Sequence, residues 1–331
     1  MPYDPTYHLL WRPDKVRAII ERERPDVLEI HSPYVAALGA LSTPRDYFKI
    51  RTFTWHSDFI DTYGRVLFPH EWSAETVEQL TKPLWGMVRA IAKRCDATFA
   101  AAKWQVAKLE RHGVERVIHM PFGIDKTVFN ASARSAEMRA WLIRGDGAAP
   151  ESADSETRVC VAVGRFAIEK QWSVVIDAFR ELTSGPAVLV MFGDGPERAR
   201  LEEMAADIPG VRFVGFERDR KKLASALASA DVLVHSCPFE TFGLSIAEAI
   251  ACGLPVVVPN EGGAYESAPP TCSEYFAPGD SDGCAEAIGR IFRRDRATLR
   301  AAALEAATGI ATIDASFDNL VRTYDELIAA R

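Results

Sequence analysis

The 331-residue chain lacks several features that would each have named a class of protein. Its six cysteines, Cys95, Cys160, Cys237, Cys252, Cys272 and Cys284, include no C-x-x-C pair. Such scatter suits neither a disulfide framework nor a cysteine zinc site, and it fits a reducing compartment. No apolar run reaches the ~18 residues that a bilayer-spanning helix requires. The opening MPYDPTYHLL lacks the basic-then-apolar order of a signal peptide, so a cytoplasmic protein is expected. An excess of positive charge is missing too. Formal net charge is −7, from 39 Lys and Arg against 46 Asp and Glu, which argues against a general nucleic-acid binder. There is no internal repeat or low-complexity tract beyond a weak likeness between the halves. What remains is ordinary globular composition, 48% hydrophobic and 26% charged, in a chain longer than one core usually fills. Two domains are expected.

The first half alternates helix-like and strand-like segments. WRPDKVRAIIERER reads as an amphipathic helix starting after a proline, and PDVLEIHS as a short strand. YFKIRTFTWHSD repeats the strand pattern and breaks at His56-Ser57-Asp58. A helix in AETVEQLTKPLWGMVRAIAKRC, a strand in ATFAAA, a helix in KWQVAKLERHG and a strand in ERVIHMPFG complete the series. Residues 131–157, rich in Ala, Ser, Gly and charge, read as a linker carrying one helix. The alternation then restarts with RVCVAVG, AVLVMFG, VRFVG, ADVLVHS and LPVVVPN, short β-branched runs of the kind buried in parallel sheets. An amphipathic helix, SFDNLVRTYDELIAAR, closes the chain. The expected fold is α/β, with Rossmann-like parallel-sheet domains over residues 1–130 and 158–310. Residues 311–331 form a helix that packs back toward the first domain.

In open α/β sheets, ligands collect where strands end and loops lead into helices. VGRFAIEKQW places Gly164, Arg165 and Lys170 directly after a strand. Two such cations can neutralise a diphosphate, or can simply be solvated charge at a helix start. FGDGPER reads as a turn into a helix, and Phe216 in GFERDRKK either stacks on a base or packs. CPFETFGLSIAEAIACGLPVVVPNEGG is the most distinctive stretch, with Glu240 and Glu248 separated by seven residues. A helix starting near Gly243 would aim the amides of Phe242, Gly243 and Leu244 outward with the positive end of its dipole, an anion site. At ~1.5 Å rise per residue Glu248 lies about 7–8 Å along that helix. The two glutamates are then either two grips on one ligand or a helix glutamate and a loop charge.

In their order, VGRFAIEKQW, FGDGPER, VRFVGF, ADVLVHS, ETFGLSIAE and EAIACGLPVVVPNEGG resemble the group 1 (family 4) glycosyltransferases of the GT-B fold over roughly residues 158–290. PDVLEIHSPY, TWHSDF and PFGIDKTVF are similar to that family's acceptor domain. The resemblance implies two domains facing a cleft. It also implies transfer of a hexose from a UDP- or GDP-sugar to a sugar, lipid or polysaccharide hydroxyl, with retention of configuration and no metal or other cofactor. By resemblance, Arg165 and Lys170 hold the diphosphate, with Gly164 beside them. Glu240, Thr241, Phe242, Gly243 and Leu244 hold the transferred sugar and distal phosphate. Glu248 takes the ribose and His56 stands near the transferred sugar; Phe216 is kept as a candidate for the base beside them. A retaining glycosidase would need two carboxylates ~5–5.5 Å apart across the scissile bond, which this assignment does not supply. Asp280-Ser281-Asp282 has the D-x-D form of a metal site, but helix capping explains both aspartates.

The family's opening strand, glycine-rich loop and helix have no counterpart before PDVLEIHSPY, so an incomplete first domain is expected. That leaves two alternatives to a transferase: a nucleotide-sugar-binding fragment or partner subunit without turnover, and another GT-B enzyme such as a sugar-nucleotide 2-epimerase. A partner chain could supply the missing part. KPLWGMVRAIAKR reads either as peripheral membrane contact or as an amphipathic domain helix.

Overall fold

The computed structural model describes residues 10–60, 74–146, 156–182 and 185–331. The opening residues 1–9 and the polar stretch 147–155 of the expected linker lie outside them. The chain forms two compact units, Met1–Phe122 with Asp314–Arg331, and Gly123–Ile313.

In the first unit β1 (Val27–Ile30), β2 (Ile50–Trp55), β3 (Ala97–Ala100) and β4 (Val117–His119) pair in that order, all parallel. Helices α1 (Pro13–Glu23), α2 (Val35–Ser42), α3 (Ala74–Ala92) and α4 (Lys103–Arg111) alternate with them. Proline at the first position of α1 suits a helix start, where its missing N–H would have had no intrahelical acceptor. KPLWGMVRAIAKR lies mainly in α3, whose Trp85, Val88, Ile91 and Ala92 are buried in the unit's core. That core is aromatic: Trp55 stacks on Trp85 at 5.7 Å and meets Phe53 edge-on at 6.1 Å. Two charges are buried beside it. Arg51 donates to Ala40 O and Arg94 O, carbonyls near the C-terminal ends of α2 and α3, where the helix dipole favours a cation. Lys108 donates to Asp58 at 2.5 Å, with side-chain exposures of 10% and 1%. The Lys108 ammonium also lies 5.7 Å from the ring centres of both Trp85 and Trp104.

The second unit holds a six-stranded parallel sheet of β5 (Arg158–Val163), β6 (Ala187–Phe192), β7 (Val211–Gly215), β8 (Val232–Val234), β9 (Val256–Pro259) and β10 (Ser273–Phe276). Its strand order is β10-β9-β8-β5-β6-β7. Alternation along each strand supplies two cores. Val159 and Val161 face one, Cys160 and Ala162 the other, so β5 is apolar throughout its middle. The sixth strand, SEYF, adds to the five that patterning marks; its Ser and Glu hide it from a search for β-branched runs. Within 131–157, helix α5 (Ala136–Arg144) buries Ala140 and Leu142 in this unit, and Ser135 caps it by accepting from Met138 N. The other helices are α6 (Trp172–Arg180), α7 (Arg198–Met204), α8 (Arg220–Ser229), α9 (Leu244–Ala251), α10 (Gly262–Ser267), α11 (Ser281–Arg293) and α12 (Arg296–Ala307). Asp280 caps α11 through Gly283 N, and Asp282 lies in its first turn.

At the edge of this sheet where the strands begin, arginines join helix ends. Arg158 donates to Phe292 O, Arg300 to Ala228 O and Cys252 O, and Arg139 to Ser229 O and Asp231. Each carbonyl terminates or follows a helix, again the end that favours a cation. The opposite edge is left to the loops that follow the strands.

Between the units the chain passes twice, at 122/123 and 313/314. Ile124 N donates to Ala311 O and Ile313 N to Ile124 O, so the two passes are neighbours. A Cβ on Gly123 would lie 2.0 Å from Thr312 O, which is why PFGIDKTVF needs its glycine. The final helix, α13 (Ile313–Ala329), packs Leu320, Tyr324 and Leu327 against Ala97, Phe99 and Met120 of the first unit.

Removing one partner of a buried ion pair costs about 3–5 kcal/mol, because the other charge stays buried. Asp58→Ala is therefore expected to destabilise the first unit by about that amount in chemical denaturation, while Lys49→Ala, at an exposed pair with Asp26, changes it by less than about 1 kcal/mol.

Candidate active site

The chain leaves β5 toward β6 and β7 on one side and returns to β8, β9 and β10 on the other. The reversal puts a crevice between the ends of β5 and β8, the place where an open α/β sheet binds ligands. The loop after β5 carries Gly164, Arg165 and Lys170; the loop after β8 carries His235 to Gly243. These are the two stretches in which sequence reasoning placed the diphosphate and sugar contacts.

The two loops are joined directly. Lys170 Nζ donates to Glu240 Oε2 at 2.7 Å, and Ser236 Oγ donates to Lys170 O at 2.7 Å. The contact places the two side chains on each other. Burial alone would raise Glu240's pKa, but the Lys170 charge, the nearby His235 ring and the hydrogen bond from Lys170 outweigh it and hold the carboxyl well below its usual range. Burial likewise works against the Lys170 ammonium, while the Cys237 thiol and Glu240 carboxylate support it, and its pKa is raised. The Cys237 thiol is itself pushed up to about 12 by burial and is neutral near pH 7, so the carboxylate is the effective partner. Both members of the pair stay charged across the physiological range.

Glycines let the backbones of this site meet. Gly164 has φ 158°, and a Cβ there would lie 2.9 Å from the Trp172 ring. Gly263 N donates to Glu240 O, and a Cβ on Gly263 would come within 2.7 Å of Glu240 O and Thr241 O. The two glycines of PNEGG thus brace the Glu240 loop from the start of α10. Ser267 Oγ adds a hydrogen bond to Phe242 O. Gly243 takes the left-handed region at φ 88° and precedes α9. The first bonds of α9 run from Ile246 N and Ala247 N to Gly243 O, 3.0 Å each. The amides of Gly243, Leu244 and Ser245 are those that helix geometry leaves for a ligand or cap.

Glu248 lies on α9 and is 7% exposed. Arg220, at the start of α8, pairs with it and also lies over the Phe129 ring at 4.6 Å. Burial raises the Glu248 pKa and Arg220 pulls against that rise. Phe216, at the end of β7, is 72% exposed, so its ring is an open face rather than a core residue. Sequence reasoning missed Arg220, which is hidden in the charge run ERDRKK, and His235, which looks like the polar end of a strand.

His56 belongs to the first unit, after β2. Its ring centre lies 5.5 Å from that of His31, after β1. His31 Nε2 is 3.3 Å from Glu29 Oε2, and this contact raises the His31 pKa against the effect of burial. Burial and the nearby His31 charge lower that of His56. One ring is thereby biased toward imidazolium and its neighbour toward neutral imidazole, a pairing that the HSPY and HSDF segments show only once folded.

Among the described residues, His235, Cys237 and Glu240 can bring ligand atoms within 4.8 Å of one another. As a donor set for a cation they fit poorly. The thiol is protonated near neutrality, and the Lys170 ammonium already holds the carboxylate.

Residues 1–128 match the model described as Glycosyltransferase Family 4, and residues 157–294 the model of Glycosyl transferases group 1. The chain belongs to the group 1, family 4 glycosyltransferases. It is 30% identical over 262 residues to a GDP-mannose-dependent alpha-(1-6)-phosphatidylinositol dimannoside mannosyltransferase of Mycobacterium tuberculosis, a match covering 78% of this chain and 63% of that protein. A GDP-mannose-dependent alpha-mannosyltransferase of the same species is 32% identical over 77% of this chain and 60% of its own length. The chain thus spans about three-fifths of these relatives. In fold it is similar to sucrose-phosphate synthase of Thermosynechococcus elongatus, with TM-score 0.78 and 21% identity over 99% of this chain and 82% of that one. HepE of Anabaena, solved with UDP and glucose, has TM-score 0.72 at 19% identity, covering 94% and 81%. The two parallel-sheet α/β units of this glycosyltransferase chain are those of the GT-B fold.

Proposed function

We propose that the chain transfers a hexose from a nucleoside diphosphate sugar to an acceptor hydroxyl, retaining the anomeric configuration and working without a metal. The observation that carries this reading is the Lys170–Glu240 pair at the switch point of the second sheet. An ammonium fixed beside a carboxylate offers a cation to the diphosphate and an acceptor to sugar hydroxyls within one small region. Arg165 adds a second cation, and the amides from Gly243 to Ser245 add donors for the distal phosphate. Glu248, steadied by Arg220, accepts from the ribose hydroxyls, and the open ring of Phe216 stacks on the base.

In this scheme the acceptor oxygen attacks the anomeric carbon on the face from which the diphosphate departs. Its proton passes to a phosphate oxygen, and the sugar–phosphate bond breaks as the new glycosidic bond forms. No carboxylate acts as nucleophile. The protein's contribution is to position both substrates and to stabilise charge on the leaving diphosphate. GDP-mannose is the first donor to test, because both mycobacterial relatives described above are named as using it. A lipid-linked or free oligosaccharide is the acceptor class to offer with it.

In calorimetric titrations, Arg165→Ala and Lys170→Ala each weaken GDP or UDP binding by about 10–100-fold, the worth of one charge-assisted hydrogen bond. Unaltered titrations in both variants would remove the diphosphate from this crevice. Glu240→Ala lowers sugar transfer, or donor hydrolysis in the absence of acceptor, by about 10²-fold or more. A fully active Glu240→Ala enzyme would refute the sugar-holding role.

A further inference from the structure

His235 lies in the crevice but has no task in the scheme above. It follows β8 directly and is 2% exposed, with its backbone N–H bonded to Val257 O at 2.9 Å. Its ring meets Trp172 edge-on, centres 6.1 Å apart at 86°, and Nε2 lies 3.4 Å from Glu240 Oε2. Among the described residues neither ring nitrogen has a hydrogen-bond partner of regular geometry, so the 3.4 Å approach of Nε2 to Glu240 is a close contact and not a formed bond. Packing does not account for this. An apolar ring would fill the space against Trp172 without the cost of burying two polar nitrogens. The feature that justifies an imidazole here is the carboxylate it faces.

The Lys170 and His235 contacts both fall on the same oxygen, Oε2. No described residue donates to Oε1, so that oxygen is the one left for a ligand. We propose that His235 is a positioning residue for Glu240: its Nε2–H, acting with Lys170, fixes Oε2 and thereby orients Oε1 to receive the hydroxyls of the transferred hexose. This rests on the donor-site reading above and deepens it.

The charged and titratable groups around the imidazole agree with that role. Burial lowers its pKa, and Lys170 adds to the lowering against the opposite pull of Glu240. The ring is therefore neutral near pH 7 and carries one N–H, and the nitrogen facing the carboxylate is Nε2. Cys237, on the same loop, is neutral as well. Lys170 thus supplies the positive charge in the cluster, and His235 supplies direction. Trp172 limits how the ring can turn, and Trp172 Nε1 itself donates to Arg165 O at 2.7 Å. The orientation of Glu240 is consequently tied to the loop that carries Arg165.

Two measurements test the proposal on the intact chain. Imidazole nitrogen NMR of the free protein should show His235 as the neutral Nε2–H tautomer, with a shift that moves in Glu240→Gln. A charged ring, the Nδ1–H tautomer, or no response to Glu240→Gln overturns the contact. In transfer assays with GDP-mannose or UDP-glucose, His235→Phe should lower kcat about 10–10²-fold, the effect of a slightly misplaced group. The Kd for GDP or UDP, which lack the sugar, should stay within about twofold. His235→Gln, whose amide reaches the Nε2 position, should recover most of the lost kcat. His235→Asn, whose amide reaches only Nδ1, should not. In a Glu240→Gln background His235→Phe should cost nothing further. Equal activity of the Gln and Asn variants, loss of nucleotide affinity in parallel with kcat, or additivity with Glu240→Gln assigns His235 a purely structural role. Should His235→Phe fail to fold, the Gln and Asn pair decides. If the wild-type protein binds no nucleotide sugar, the donor-site reading falls. If it binds and transfers while His235→Phe is unchanged, only the positioning role falls.

Discussion

The second unit of this chain is organised around one ion pair, Lys170 with Glu240, joining the loops that follow β5 and β8. A part-buried pair of this kind is weak evidence for stability, since desolvation offsets much of the attraction. Its value lies in arrangement. Each side chain prevents the other from relaxing into solvent, so the crevice keeps a cation and an anion at fixed places before any ligand arrives. A polar environment set in advance does not have to reorganise when charge develops on a departing group. The surrounding features keep the pair in place: Ser236 on the Lys170 carbonyl, Gly263 on the Glu240 carbonyl, and His235 beside the carboxylate.

The first unit uses its polar residues differently. Arg51 and Lys108 are buried among aromatic rings and satisfied by carbonyls or by a single carboxylate, which specifies how α2, α3 and α4 meet the sheet. Its candidate chemistry lies instead in the half-exposed His31 and His56, held in different protonation preferences by Glu29 and by each other. Tyr324 on the last helix lies close enough to Glu29 to help lower its pKa, so the chain's final segment contributes to that cluster. This unit therefore keeps its buried charges in packing contacts and leaves its two neighbouring histidines at the surface.

Much of the architecture was legible in the sequence, because parallel strands buried on both faces show as continuous apolar runs. RVCVAVG, AVLVMFG and LPVVVPN all became strands with helices between them, and the helix expected from near Gly243 to Gly253 runs from Leu244 to Ala251. SEYF escaped because two of its four residues are polar, although it pairs along its whole length with β9. Motif order indicated the family and the loops of the site. Pairing was not legible. Nothing in the spacing of Lys170 and Glu240, 70 positions apart, says that they touch, and the same holds for Arg220 with Glu248. Those contacts come from strand order, and strand order depends on the topological reversal after β7. His235 shows the limit well, because its meaning depends on which carboxylate the fold sets beside it.

The absence of room around Gly262 and Gly263 has a consequence for how such a site can change over time. A Cβ on Gly262 would lie 2.5 Å from Pro238 O, and one on Gly263 2.7 Å from the Glu240 and Thr241 backbone. The stretches of chain after β8 and β9 are therefore held by contacts that leave no room for a side chain at either glycine, and Ser236 Oγ on the Lys170 carbonyl ties the stretch after β5 to them. A replacement in one stretch has to be taken up by backbone movement in its neighbours, so the three can only change together.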